Sequence, residues 1–326
     1  MLHLTARRER WPLSRPFRIA RGVKTIAEVV VVEASDGQHV GYGESVPYAR
    51  YGENVESVMA EIAAIAERGV TRAELQSALR PGAARNAIDC ALWDLEAQQT
   101  GRSVAELAGV SEPCEVVTAV TISIDTPERM GEAAAALSAA PLIKVKVDAN
   151  APLDAVKAVR FAAPKARLIV DPNESWSVAK LRDLLPSLAA LKVDLIEQPV
   201  PADQDAALEN LHPVVPLCAD ESAHTSADLE CLARRYQAVN IKLDKTGGLT
   251  EALRMRAHVR EMGLTLMVGC MVSTSLAVAP ALLIAADASF VDLDGPWWLA
   301  QDRKNGMIFD NGRMRAPHGG WGHARA

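Results

Sequence analysis

The 326-residue sequence predicts an α/β protein: a (β/α)-barrel preceded by a small α+β domain. Three observations predict it. From about residue 116, short apolar runs alternate with helical segments, the pattern of a parallel sheet with crossover helices. Close to eight such runs fall within roughly 180 residues, the repeat of a closed barrel. Ahead of them, two apolar runs flank Asp36-Gly37 and signal an antiparallel hairpin.

In chain order, AEVVVVEASDGQHVGYGES (27–45) supplies the hairpin. ESVMAEIAAIAERG (56–69) is amphipathic at the helical period, and AARNAIDCALWDLEAQQTGRSVAELAG (83–109) reads as a long helix followed by a short one. These segments make a first domain, residues 1–115. The barrel domain, 116–297, takes its strands from VTAVTISI, LIKVKVD, ARLIVDPN, DLIEQPV, PLCADES, AVNIKLD, LTLMVGC and ASFVDLD. Helices such as PLDAVKAVRFAA and TEALRMRAHVREMG connect them. The tail, 298–326, contains no repeat and is expected to return to the first domain.

Composition narrows the function. The net charge of −6, without a basic stripe, argues against a nucleic-acid partner. The N-terminus lacks an apolar segment of secretory length, and AVAPALLIAA is too short for a membrane span and carries Pro280. Cys90, Cys114, Cys218, Cys231 and Cys270 form no C-x-x-C pair, which suggests reduced thiols in the cytoplasm.

The chemistry is written at the strand ends, where barrels place it. In PLIKVKVDAN, Lys144 and Lys146 interrupt a buried apolar run two residues apart, so both face the same side. Burying two ammonium groups costs several kcal/mol unless they are paired. Asp171, Glu197 and Asp220 close three successive strands, one repeat apart, and Lys242, Asp292 and Asp294 close later ones. A single Asp after a strand is most often a helix N-cap, and Gly247-Gly248 is most often a tight turn. Charges on nearly every strand from the second to the sixth do not reduce to caps. Three converging carboxylates need a cation, and an all-oxygen set suits Mg²⁺.

These motifs resemble the enolase superfamily, in the branch that includes muconate cycloisomerases and dipeptide epimerases. The resemblance spans essentially the whole chain. It implies a modified (β/α)₇β TIM-type barrel, with an α+β capping domain formed by the N-terminal segment and the C-terminal tail. It assigns Lys144-Val145-Lys146 to the family's K-x-K, and Asp171, Glu197 and Asp220 to one Mg²⁺ per subunit. Lys146 and Lys242 become the acid/base pair on opposite faces of the substrate carbon, and Lys144 a contact to its carboxylate. In NIKLDKTGG, Lys242 is preferred over Lys245 because it lies within the strand at the parity of Asn240, whereas Lys245 reads as a loop residue.

The seventh strand, LTLMVGCMVS, has no His, which sets aside the His–Asp dyad of the mandelate-racemase branch; Cys270 and Met271 there are expected to touch substrate. Asp292-x-Asp294 resembles the D-x-D that binds a dipeptide's α-ammonium. Residues 19–28, IARGVKTIAE, and ARYGEN near residue 50 resemble the family's mobile capping loops. Lys24 falls where some relatives place an arginine for a glutamate side chain. The implied function is Mg-dependent epimerisation at the C-terminal residue of an L-Ala-D/L-Glu type dipeptide, by two-base 1,1-proton transfer through an enediolate, as in peptidoglycan recycling. The substrate is then a small dipeptide, with homo-oligomerisation left open. Another dipeptide preference, a cycloisomerase, an N-acylamino-acid racemase or an o-succinylbenzoate synthase share the lysines. A metal-free Schiff-base aldolase and a catalytically silent binding protein are the readings from other classes.

Overall fold

A computed structural model describes residues 2–317 and 319–323. Met1, His318 and residues 324–326, which belong to the two predicted end segments, lie outside the described residues.

The cap begins with a three-stranded antiparallel sheet, β1 (His3–Ile19), β2 (Gly22–Ser35) and β3 (Val40–Ser45), with β2 in the centre. The predicted hairpin joins β2 and β3, with Ser35 opposite Val40. Asp36 fixes its turn by accepting the N–H groups of Gln38 (2.8 Å) and His39 (2.7 Å). The run Val29–Val32 is fully buried because each face of this central strand is covered. Val30 and Val32 pack with α1 (Val55–Arg68), α2 (Arg72–Ala78) and α3 (Ala83–Thr100). Val29 and Val31 face Val46 and Met271 at the barrel mouth. Gly41 and Gly43 let α3 lie against β3: a Cβ at either would come within 2.3 Å of α3 backbone atoms. A short helix, α4 (Val104–Ala108), ends this part, capped by Ser103 and Glu106.

Residues 19–28 correct an expectation: they form the closed end of the long β1–β2 hairpin, with only Ala20 and Arg21 between the strands. Residues Ala49–Tyr51 form one 3₁₀ turn that ends on left-handed Gly52.

After β4 (Val116–Val117), eight parallel strands follow in sequential order: β5 (Val120–Ile122), β6 (Leu142–Lys146), β7 (Arg167–Asp171), β8 (Leu195–Glu197), β9 (Leu217–Ala219), β10 (Ala238–Ile241), β11 (Thr265–Gly269) and β12 (Phe290–Asp292). The hydrogen bond from Ala119 N to Val291 O (2.7 Å) closes the ring. Around it run α5 (Pro127–Ala136), α6 (Pro152–Ala162), α7 (Val178–Ala190), α8 (Leu229–Leu232), α9 (Leu243–Thr246), α10 (Leu249–Glu261) and α11 (Ser275–Ala285). Between β8 and β9 the crossover carries a 3₁₀ turn, Asp205–Leu208, in place of an α-helix.

The tail serves both halves. Its hairpin, β13 (Ile308–Asp310) and β14 (Arg313–Arg315), pairs with β4. Ala300 N bonds Pro12 O (2.9 Å) and Trp321 Nε1 bonds Tyr42 O (2.7 Å), which ties the tail to the cap.

Side-chain parity sorts the barrel interior into layers. Ala119, Leu142, Ile169, Leu195, Cys218, Ala238, Met267 and Phe290 form an apolar floor, one residue from each strand or its entry. Side chains two residues on point the same way. That step turns the interior polar: Thr121, Lys144, Asp171, Glu197, Asp220, Asn240, Gly269 and Asp292. A second step reaches Lys146, Asn173, Lys242, Met271 and Asp294 at the mouth.

Candidate active site

The mouth layer and the cap line one small pocket between them. Lys144, Lys146, Asp220, Lys242, Cys270, Met271, Asp292 and Asp294 line its barrel side. Phe17, Ile19, Arg21, Lys24, Tyr48 and Tyr51 line its cap side. Asp171 and Glu197 lie just beneath, each fully buried.

The paired lysines are accommodated by carboxylates. Lys144 Nζ lies 2.7 Å from Glu197 Oε2, 2.7 Å from Asp292 Oδ2 and 3.1 Å from Asp171 Oδ2. Lys146 Nζ donates to Asp171 Oδ2 (2.5 Å) and Asn173 Oδ1 (3.1 Å). Lys242 Nζ donates to Asp220 Oδ2 (2.6 Å) and lies 3.9 Å from Glu197 Oε1. Burial works against the Lys144 ammonium, but Asp292, Glu197 and Asp171 overcome it and hold its pKa well above the ordinary value. The same contest, decided by Asp220 and Glu197, raises Lys242. Burial would raise Asp220, yet Lys242 and Lys245 hold it well below the usual range. Glu197 goes the other way: burial and the neighbouring Asp171 push it up to about 8.

Two expectations about the sixth strand are corrected. Lys242 stands one residue beyond β10, as the residue that begins α9, and keeps its inward parity there. Gly269 makes room for it, since a Cβ there would lie 3.1 Å from Lys242 Cε. Lys245 is not in a loop. It sits inside α9 with its side chain fully buried, and it does not line the cavity. Gly247-Gly248 makes a close approach to the cap: a Cβ on Gly247 (φ +72°) would lie 2.4 Å from Arg85 Nε, and one on Gly248 (φ +113°) 2.5 Å from Asp89. Arg85 donates to the carbonyls of Thr246 (2.6 Å) and Gly247 (3.1 Å).

The three acids also differ from expectation. Among the described residues, no group of three His, Cys, Asp or Glu side chains stands, as placed, in a position to hold one metal ion. The carboxylates converge on lysine ammonium groups rather than on a common point. The donor set nevertheless fits a hard divalent cation. Three buried carboxylates come from three successive strands, and Glu197 Oε2, though 2.7 Å from Lys144 Nζ, receives no aligned hydrogen bond.

At the eighth strand, Asp292 uses Oδ2 for Lys144, while Oδ1 is buried with no hydrogen-bond partner. Asp294 Oδ2 accepts from Thr121 N (2.7 Å) and Trp298 Nε1 (3.3 Å). Burial and Asp292 push Asp294 up to about 6. The Cys270 thiol is pushed well up by burial and Asp292, so it lines the site as a neutral group. Lys24 lies with its ammonium 5.0 Å from the Tyr48 ring centre and pairs with no carboxylate within 4 Å among the described residues.

The sequence reading missed the cap–barrel contacts. Arg21, at the hairpin tip, donates to Glu221 Oε1 (2.6 Å), Tyr48 OH (3.1 Å), Glu174 Oε2 (3.1 Å) and Asn173 O (3.0 Å). Arg50 makes two further bonds to Glu174, each 2.8 Å. A signal was present: DPNE and DES each carry a second acid just past the strand-end Asp.

Comparison with known proteins bears on this geometry. Residues 1–109 match the mandelate racemase / muconate lactonizing enzyme N-terminal domain, and residues 128–324 match the enolase C-terminal domain-like model. The chain is 50% identical over 312 residues to the L-Ala-D/L-Glu epimerase of Escherichia coli (strain K12), covering 94% of this chain and 97% of that protein. It is 47% identical over 291 residues to the N-acetyl-D-glutamate racemase of a Pseudoalteromonas species, covering 88% and 92%. An enolase family member from Agrobacterium tumefaciens, solved with sodium and L-Ala-L-Glu, superposes with a TM-score of 0.95 at 47% identity over 98% of each chain. The dipeptide epimerase of Enterococcus faecalis V583, solved with Mg and L-Leu-L-Tyr, gives 0.91 at 26% identity over 99% of each.

Proposed function

The chain belongs to the mandelate racemase / muconate lactonizing enzyme family, and from that premise we propose that it epimerises L-Ala-D/L-Glu type dipeptides at the C-terminal residue. One observation carries the proposal. Lys146 ends strand β6 and Lys242 follows strand β10, four apart in an eight-stranded ring, and both line one cavity. Two bases on opposite walls serve inversion at a carbon held between them.

In this reading one lysine, as a free amine, takes the α-proton. The electron pair of that C–H bond moves into the substrate carboxylate. The other lysine, as an ammonium, returns a proton from the opposite face, which restores the C–H bond with inverted configuration. Asp171, Glu197 and Asp220 would hold a Mg²⁺ ion, which supplies charge to stabilise the developing carboxylate anion and competes with the ammonium groups for those acids. Lys144, beside this set, contacts the substrate carboxylate. Asp292 and Asp294 accept the α-ammonium, and the unpartnered Asp292 Oδ1 supports that role. Lys24 answers the glutamate side chain, with Cys270 and Met271 against the substrate body.

The proposal divides the chain into a cap, 1–115, a barrel, 116–297, and a returning tail, 298–326; the family matches at 1–109 and 128–324 support only the first boundary. It places the enzyme in the cytoplasm, recycling cell-wall peptide; free thiols at all five cysteines support a reducing compartment. The Pseudoalteromonas relative favours a second reading, racemisation of an N-acylated glutamate. The test is incubation in D₂O with L-Ala-L-Glu, L-Ala-D-Glu and N-acetyl-L-glutamate, each with Mg²⁺ and with chelator. Mg-dependent α-deuteration of the dipeptides supports the proposal. Deuteration of N-acetylglutamate alone favours the second reading, and full activity in chelator removes the metal.

A further inference from the structure

Lys245 is a buried cation that the two-base scheme does not use. Its side chain is fully buried, and it has no access to the cavity that Lys242 lines. An ammonium has three N–H donors. Here they go to Asp220 Oδ1 (2.7 Å), Asn240 O (2.9 Å) and the backbone O of Asp220. With every donor committed and no exposure, Lys245 cannot exchange a proton with substrate.

Its partners show what it can do. Asp220 has two carboxylate oxygens, and Lys245 holds Oδ1 while Oδ2 is left to Lys242 at 2.6 Å. The same ammonium grips the Asp220 and Asn240 carbonyls, at the end of β9 and within β10. It therefore fixes the torsion of the Asp220 side chain relative to the strand that delivers Lys242. The Asp220 backbone is fixed independently, since its N–H donates to Gln198 Oε1 (2.9 Å). The α9 turn is held from its far end by Arg85, so removal of the Lys245 charge leaves the turn anchored.

We propose that Lys245 is a positioning residue for one face of the reaction: it orients Asp220, and through Asp220 it sets the ammonium of Lys242. The inference rests on the two-lysine reading above. It predicts an asymmetry. Lys146 is held by Asp171 and Asn173, which Lys245 does not touch, so at saturating Mg²⁺ the opposite face is much less affected. Misplacing a reacting group by about 1 Å costs on the order of 10²-fold.

The test is face-resolved exchange in D₂O with the Mg-loaded enzyme. Lys242→Ala first identifies the epimer of L-Ala-Glu whose α-proton leaves through Lys242. Lys245→Met, similar in size and uncharged, is expected to slow exchange of that epimer by about 10²-fold and the other by far less. Lys245→Arg, which keeps a cation, should recover part of the loss, and it serves as the second variant if Lys245→Met is poorly folded. Equal slowing of both epimers, or no slowing, overturns the proposal. If wild-type protein exchanges neither epimer, the functional reading has failed. The metal-free crystal structure of Lys245→Met then decides: a rotated Asp220 sustains the positioning role, and an Asp220–Lys242 contact still at 2.6 Å overturns it.

Discussion

Replacing Asp294 with Asn tests the ammonium subsite with little disturbance to the fold. The two side chains have nearly the same size. The amide oxygen can take over the Oδ2 contacts to Thr121 N and Trp298 Nε1. What changes is the other carboxylate oxygen, which becomes an NH₂ donor facing the substrate's ammonium. The lost charge-assisted hydrogen bond is worth about 1.5–3 kcal/mol. Leaving one member of a desolvated pair without its partner brings the total to about 3–5 kcal/mol. At 1.36 kcal/mol per decade, that is roughly a 10²–10⁴-fold loss in kcat/KM for L-Ala-L-Glu. N-acetylglutamate carries no ammonium, so any turnover of it should change little. Because Asp294 is pushed up to about 6, wild-type kcat/KM for the dipeptide should also fall as pH drops through about 6, and the variant should lack that limb. Polarimetric kcat/KM on both compounds across pH reads all of this. Equal losses on both, or no loss on the dipeptide, would refute the reasoning.

Two other perturbations read the cap. Arg21→Gln leaves the buried Glu221 carboxylate without its guanidinium, at a cost near the lower end of about 3–5 kcal/mol because the Arg21 side chain is 26% exposed. KM for L-Ala-L-Glu should rise at least about tenfold with kcat less affected; an unchanged KM would remove the hairpin tip from substrate enclosure. Asp89, fully buried on α3 where it accepts from Thr250, is pushed up to about 6 by burial, from 3.8 unfolded. The folded state therefore holds the proton more tightly, so the stability from protonated Asp89 is complete below pH 3.8 and is lost as pH rises through 6. The change is about 3 kcal/mol. Urea unfolding across this window should show a decline steeper in wild type than in Asp89→Asn by about that amount; parallel curves for the two proteins would contradict it.

The barrel was legible because its signals are local. Each strand is a short apolar run, and residues two apart share a face, so the step from Leu142 to Lys144 or from Ile169 to Asp171 can be read from spacing. The long strand β1 was not legible. HLTARRERWPLSRPFRI carries Pro12, Pro16 and many charges, which argue against a strand in general. It is tolerated because β1 is an edge strand whose register shifts between Pro12 and Phe17. With β1 unseen, residues 19–28 looked like a loop. Lys245 was misread for a different reason. Its surroundings are made by Asp220, 25 residues away, and by Arg85 across the cap interface, and no local pattern reports either. Arg21 and its four acceptors are likewise distributed over four segments.

The central claim is that two lysines act on opposite faces of one carbon. It is tested most directly by α-proton exchange in D₂O with Lys146→Ala and Lys242→Ala, each offered L-Ala-L-Glu and L-Ala-D-Glu separately with Mg²⁺. Neither variant should interconvert the epimers. Each should still exchange one epimer, a different one for each variant, with the other slowed by about 10²–10⁴-fold. If both variants exchange both epimers at equal rates, the two-base arrangement is wrong.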